Sequence, residues 1–273
     1  MCRLFGSRSL LPIRAAHELV DAPNALRSLS AEHMDGWGIG WWPDERSPVS
    51  ARGIEAAKDA PEFARLACTV ESRALIAHVR KASVGGVHLD NSHPFGHGSW
   101  LFAHNGTIAR FADVRADLEA AIDPAFRPLV TGETDSARCF GIFLSRLSRL
   151  SSLDGDPPVE RVARALAETV AVVAEIADAP DREPSATTFL AGNGRTMLAC
   201  RRGRTLFHAT RARGVDAAGD RVERLLVSSE RPSDAWAWEE VPLDGIVGVD
   251  GDMRLHRSNL ADWAIPSRRA RAG

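Results

Sequence analysis

The sequence predicts an α+β fold built on antiparallel sheets. Three observations carry that expectation. The first part of the chain is strand-like and rich in turn residues, the middle has helical spacing, and the last part returns to short strand-like runs. Strands gathered before and after a block of helices segregate the two element types, whereas a parallel sheet would alternate them. No internal repeat and no long low-complexity segment breaks the pattern.

Taken in order, residues 2–7 form a short strand candidate. Residues 13–30 place apolar side chains at helical spacing, interrupted near Pro23. Residues 36–42 alternate glycine with bulky apolar residues, the pattern of a strand that other backbone approaches closely. Residues 73–79 and 99–103 have the composition of buried strands. Helices are expected over 111–122 and 135–150, the second with Thr134 as its N-cap. A loop over 151–157 leads to a longer Ala- and Val-rich helix at 158–177. After Pro184, strands are expected at 187–191, 197–201, 205–209, 225–229, 245–249 and 253–256. The tail 267–273, SRRARAG, is expected to be a solvated, flexible end. These elements suit one domain over residues 1–273, with its motifs within 2–150 and its last strands ending near 258.

Composition excludes several function classes. At 273 residues the chain is ample for a buried core, and its 44% hydrophobic and 26% charged content is ordinary for a globular protein. A net charge of −2 gives no reason to expect nucleic acid or a membrane surface as partner. No apolar run approaches the roughly 20 residues that span a bilayer. Arg3 and Arg8 break up any secretory signal. The cysteines at 2, 68, 139 and 200 lie far apart with no CxxC, which points to reduced thiols in a cytoplasm rather than disulfides or zinc. Cys68, Cys139 and Cys200 sit among apolar neighbours and are expected to fill core. His88, His93, His97 and His104 invite a metal, but Pro94, Gly96 and Gly98 prevent a helical His face there and no carboxylates accompany them. His78 and His104 follow apolar strands and are expected to be satisfied core histidines, with His93 shaping a pocket. No metal or organic cofactor is expected.

Five segments carry possible chemistry, each with a plain structural alternative. Removal of Met1 would leave Cys2 with a thiol and a free α-amine on one residue. An α-amine has a reference pKa near 7.7–8.0 and can activate its own side chain; the alternative is a small residue in a first strand. His104-Asn105-Gly106, after the strand at 100–103, places an amide side chain and an unhindered N–H at one turn, suited to an oxyanion hole or to a simple hairpin. Arg80, at the end of a buried strand, can grip a carboxylate with two parallel hydrogen bonds or serve a structural ion pair. Asp135, at a helix start, can receive an ammonium group or match the helix dipole. Asp35-Gly36-Trp37-Gly38 can bring backbone near a ligand or simply pack tightly. The seven tryptophans, including Trp37, are core candidates first and pocket walls second.

Cys2, then DGWG at 35–38, HVR at 78–80, HNG at 104–106 and GETDS at 132–136, in that order, resembles the class II glutamine amidotransferases, which are N-terminal-nucleophile hydrolases. MCRLFG at 1–6, NSHPF at 91–95, AHNG at 103–106 and FRP at 126–128 are similar to the stand-alone YafJ-type members, with the EgtC-like γ-glutamyl hydrolases of ergothioneine synthesis as close relatives, and LVSSE at 226–230 resembles a late strand of the same family. The resemblance implies a four-layer αββα sandwich of two antiparallel sheets. It implies Cys2 as nucleophile, Asn105 and the Gly106 N–H as oxyanion hole, Arg80 for the substrate α-carboxylate and Asp135 for the α-ammonium. Ser83, Gly36, Trp37 and His104 complete the implied substrate contacts. The small-molecule substrate would be glutamine or a γ-glutamyl amide, cleaved through a thioester. Fused members carry Trp-Ala-Thr-His after the arginine, where this chain has Lys81-Ala82-Ser83-Val84. The expectation is a stand-alone hydrolase, or a glutaminase subunit passing ammonia to a partner synthetase, with homo-oligomerisation open; a non-catalytic binding protein is the remaining class.

Overall fold

The computed structural model describes residues 2–212 and 221–263; the expected flexible tail lies outside them. Strand β1 (Arg3–Ile13) opens the chain, followed by a π-helical turn (His17–Asp21) and the short helix α1 (Leu26–Leu29). Strands β2 (Trp37–Trp41) and β3 (Val49–Gly53), helix α2 (Pro61–Thr69) and strand β4 (Ser72–Val79) come next. Strands β5 (Phe95–His97) and β6 (Trp100–Thr107) precede helices α3 (Phe111–Ala120), α4 (Asp135–Leu150) and α5 (Val159–Ala177). The chain then runs through β7 (Ala186–Gly192), β8 (Met197–Cys200), β9 (Phe207–Ala212), β10 (Val222–Ser228), β11 (Glu239–Glu240), β12 (Gly245–Val249) and β13 (Leu255–Asn259).

These strands form two antiparallel sheets, ordered β11-β9-β10-β1-β4-β2-β3 and β13-β12-β8-β7-β6-β5. Period-2 alternation gives each sheet two faces, and the apolar side chains sort into three clusters accordingly. Leu4 and Ile76 of the first sheet meet Leu101, Leu190, Ala199 and Val247 of the second. Phe5, Ile39 and Ala77, on the other face of the first sheet, pack on Leu26 of α1 and Phe63 and Leu66 of α2. Phe102, Phe189 and Ile246, on the outer face of the second sheet, pack on Leu118, Phe140, Phe143 and Leu166 from α3, α4 and α5. Three apolar interfaces require four layers, the expected αββα order. Burial of each Leu, Ile, Val or Phe among them stabilises the stack by about 1.5–3 kcal/mol.

Three local readings are corrected. The helical spacing over 13–30 does not make one helix. Strand β1 runs on to Ile13, and Ala15, Leu19, Ala22 and Leu26 are buried from two short turns on either side of Pro23. Strand β6 does not stop at 103: it pairs with β7 through Thr107, so Asn105 and Gly106 are ladder residues opposite Thr188 and Thr187, not turn residues. Cys68 is exposed on α2, while Cys139 and Cys200 are buried. Helix α4 starts as expected, with Thr134 Oγ1 accepting from the Ala137 N–H at 3.2 Å. The close approach expected of the glycine-rich strand is also present. A Cβ at Gly38 would collide with the His93 carbonyl, and one at Gly40 would stand 2.5 Å from Leu101 Cδ1. Among the described residues no helix is long and apolar enough to cross a membrane.

Candidate active site

The strand register brings the separate motifs to one corner. Arg3 pairs with Val79 and Trp37 pairs with the same Val79, so Cys2, Gly36 and Arg80 each lie one residue beyond a shared rung. Two main-chain bonds close the corner, from Arg80 N to Gly36 O at 2.8 Å and from Asp35 N to Arg80 O at 3.0 Å. Gly36 has φ +125°, a conformation that favours glycine, and a Cβ there would stand 2.8 Å from Ser92 Oγ.

Pleat parity then decides which side chains face each other. Leu4 points between the sheets, so Cys2, two residues earlier, is directed to the same side. Leu101 and Ala103 of β6 also point between the sheets, and Asn105 continues their row. Cys2 and Asn105 thus project from opposing inner faces. Cys2 is half-buried, with its Sγ 3.6 Å from the Lys81 carbonyl. Burial pushes its thiol above the ordinary value, partly offset by the Arg80 charge. A thiol held up in this way needs a base in order to attack.

Arg80 is 2% exposed, yet its hydrogen bonds go to carbonyls rather than to a carboxylate. Nη1 donates to Asp35 O at 3.4 Å and Gly86 O at 3.0 Å, and Nη2 to Val84 O at 2.8 Å and Gly85 O at 3.3 Å. Of the five guanidinium N–H groups, these bonds leave the Nε edge. The Asp35 carboxylate accepts from Ala82 N at 2.8 Å and so fastens the start of the same loop. Ser83, where fused members have Thr, places its hydroxyl 3.1 Å from Thr107 Oγ1 at the end of β6. Asp135 is buried at the start of α4. Its Oδ2 accepts from Ile108 N at 2.8 Å and its Oδ1 from Ser136 N at 2.8 Å. The Ile108 that it holds follows Thr107, the partner of the Ser83 hydroxyl, which ties Asp135 to the end of β6 at this corner.

Two expected substrate contacts do not face this corner. His104 lies on the other side of β6 from Asn105. Its ring nitrogens meet Ser136 Oγ and the Ala186 carbonyl, each at 2.9 Å, so it is a satisfied core residue that pins α4 to the sheet. Gly106 makes that possible, because a Cβ there would collide with the Ala186 carbonyl and the His104 ring. Trp37 packs its ring outward, edge-on to Phe63 at 5.5 Å, with Nε1 donating to Glu55 Oε1 at 3.2 Å. Only its backbone belongs to the corner.

Other buried polar groups were not legible as a set. His78 and His93 stack with centroids 4.0 Å apart, and among the described residues none of their four ring nitrogens has a hydrogen-bond partner. His78 is therefore not a satisfied core histidine; burial pushes its pKa down to about 3. The Asn105 Oδ1 is buried without a partner as well. Asn91, Asp35 and Thr107 enter the corner as hydrogen-bonding partners of its loops. Asn91 was visible only as part of the NSHPF motif. Among the described residues no group of three or more His, Cys, Asp or Glu could hold a metal ion.

Comparison with known proteins follows the same lines. The model of the family "Glutamine amidotransferases class-II" matches residues 1–217. The probable glutamine amidotransferase DUG3 of Saccharomyces cerevisiae is 26% identical over 226 residues, 74% of this chain and 63% of DUG3, so the match spans less than two thirds of that relative. The γ-glutamyl-hercynylcysteine sulfoxide hydrolase of Mycolicibacterium smegmatis is 29% identical over 244 residues, 89% of this chain and 84% of that protein. Among solved structures, a glutamine aminotransferase class-II domain protein from Silicibacter pomeroyi superposes with a TM-score of 0.62 at 21% identity, covering 94% of this chain and 99% of its own. That likeness speaks for the fold.

Proposed function

The chain belongs to the class II glutamine amidotransferases, and from that premise we propose that it hydrolyses a γ-glutamyl amide through a thioester on Cys2. One observation carries the reading. Strand parity directs Cys2 and Asn105 toward each other between the sheets, at the corner that buried Arg80 borders and to which Asp135 is tied through Ile108. Hydrolysis of the Met1–Cys2 bond frees the Cys2 amine. The amine takes the thiol proton as sulfur attacks the γ-carbonyl carbon, the general-base logic of an N-terminal nucleophile. The carbonyl oxygen becomes an oxyanion that Asn105 Nδ2 and the Gly106 N–H receive. Collapse breaks the C–N bond, and the departing nitrogen takes the proton from the amine and leaves as ammonia or an amine. Water then adds to the thioester, loses a proton to the amine, and releases glutamate and the thiol.

Arg80 meets the α-carboxylate at its Nε edge, and Asp135 meets the α-ammonium. Ser83 and the Gly36 backbone border the substrate. The catalytic unit is a single domain without cofactor, working in the cytoplasm, where free thiols persist. A substrate bulkier than glutamine is favoured by the match to the M. smegmatis hydrolase over 89% of this chain.

The test is intact mass before and after 6-diazo-5-oxo-norleucine, with peptide mapping. The expected result is protein lacking Met1 that carries one adduct, on Cys2, and releases glutamate from a γ-glutamyl amide. Protein lacking Met1 that is labelled elsewhere, or that cleaves neither glutamine nor a γ-glutamyl anilide, overturns the reading.

A further inference from the structure

We propose that Asn91 is a positioning residue that fixes the spacing between Arg80 and Asp135, and thereby makes the site select amides bearing both an α-carboxylate and an α-ammonium. The proposal rests on the roles given above to those two residues. Asn91 is 1% exposed and belongs to neither recognition group. Its Nδ2 donates at 2.9 Å to the Gly86 carbonyl, the same oxygen that accepts from Arg80 Nη1 at 3.0 Å. Its Oδ1 accepts at 2.8 Å from the Glu133 N–H, two residues before Asp135 and next to the N-cap Thr134. One carboxamide thus joins the loop that holds the cation to the segment that delivers the anion. Glu133 closes the link from the other side, since its Oε2 accepts from Gly86 N at 3.1 Å.

The neighbouring backbone is shaped to admit this amide. A Cβ at Gly132 would stand 2.6 Å from Asn91 Oδ1, and one at Gly85, where φ is +71°, would stand 3.0 Å from Nδ2. The bridge needs a donor on one side and an acceptor on the other, at the end of a short side chain. Asparagine provides that combination; an ionised aspartate offers acceptors only. In Asn91→Asp the bond from Glu133 N survives, but a second acceptor faces the Gly86 carbonyl. The Arg80 loop then loses its tie to the Asp135 segment, while Cys2 and Asn105 are untouched. Glu133→Ala loosens the same link from an exposed position and guards against a folding failure.

The experiment compares wild type, Asn91→Asp and Glu133→Ala on a γ-glutamyl anilide and on the glutaryl anilide, which lacks the α-ammonium. Sites are counted by 6-diazo-5-oxo-norleucine, and iodoacetamide reports Cys2 reactivity independently of substrate recognition. The expected result for Asn91→Asp is a KM for the γ-glutamyl anilide raised about tenfold or more, the sign of lost binding shared by ground and transition states. Its kcat per titrated site stays within about threefold, Cys2 alkylation is unchanged, and the preference over the glutaryl anilide shrinks; Glu133→Ala shifts the same way by less. If wild type prefers neither anilide, the role of Asp135 falls and the proposal falls with it. If wild type discriminates and both variants discriminate equally well, the proposal alone is overturned. Equal loss on both anilides, tracking the number of titrated sites, reduces Asn91 to a structural residue and also overturns it.

Discussion

Replacing Asn105 by alanine separates catalysis from stability with unusual clarity. If Asn105 Nδ2 receives the oxyanion, its loss raises the barrier by about 3–4 kcal/mol, a factor of roughly 10²–10³ in kcat. The cost to the fold is small by comparison. The ladder bonds of β6 at Asn105, opposite Thr188, belong to the main chain and survive the substitution. The side-chain Oδ1 is buried without a partner, a state that itself costs about 1–3 kcal/mol, so truncation removes a penalty as well as some packing. The net change in stability should lie within about 1 kcal/mol, or roughly 2–4 °C in Tm for a chain of this size. The assay is glutamate release from a γ-glutamyl anilide by Met1-free protein, alongside a thermal melt and site titration. A kcat within tenfold of wild type removes Asn105 from the oxyanion hole. A large loss that follows a fall in Tm assigns it a structural role instead.

The remaining predictions concern other parts of the molecule. Cys2→Ala and Cys2→Ser should abolish turnover, whereas Cys68→Ala, Cys139→Ala and Cys200→Ala should retain most of it; equal loss from all four removes the case for Cys2. With iodoacetamide, exposed Cys68 should be alkylated without loss of activity in protein whose Cys2 is protected by substrate. Cys200, its thiol pushed up to about 12 by burial, should stay unmodified until unfolding. Gly106→Ala should destabilise by about 1–3 kcal/mol or more, because the new Cβ meets a main-chain carbonyl that cannot step aside; an unchanged Tm contradicts that packing. His78, ordinarily near 6.5, is held at about 3 by burial. Between those pH values the unfolded chain carries a proton that the folded chain does not, so stability falls as pH drops through that window, by at most about 1.4 kcal/mol per pH unit. His78→Phe should flatten the slope, and an identical pH–Tm profile would show that the buried ring plays no part in it.

The α+β class, the extent of helix α4, its Thr134 cap and strand β12 follow from local rules of periodicity, capping and glycine placement, which neighbouring residues along the chain express directly. The order of the motifs carried the family for the same reason, since order is a property of the chain. The glycine of DGWG announced a close approach, although not that the His93 carbonyl would be its partner.

Other features depended on contacts between distant segments. Strand β6 extends through Asn105 and Gly106 because β7, some eighty residues later, supplies the opposite half of its ladder. That extension places Asn105 on the inner face and His104 on the outer, a distinction between adjacent letters that parity alone settles once the register is set. The same holds for Trp37, whose bulk is taken by Phe63 of a helix that local spacing did not reveal. Asn91 is the fullest case. An asparagine in a polar loop has no periodic signal, and its importance rests on two backbone groups, at Gly86 and Glu133, that only the folded chain brings within reach of one carboxamide. The chain by itself determined which chemical groups were available and in what order. The tertiary structure decided which of them share a face, because side-chain direction is fixed by pairing register, and register is set by the partner strand.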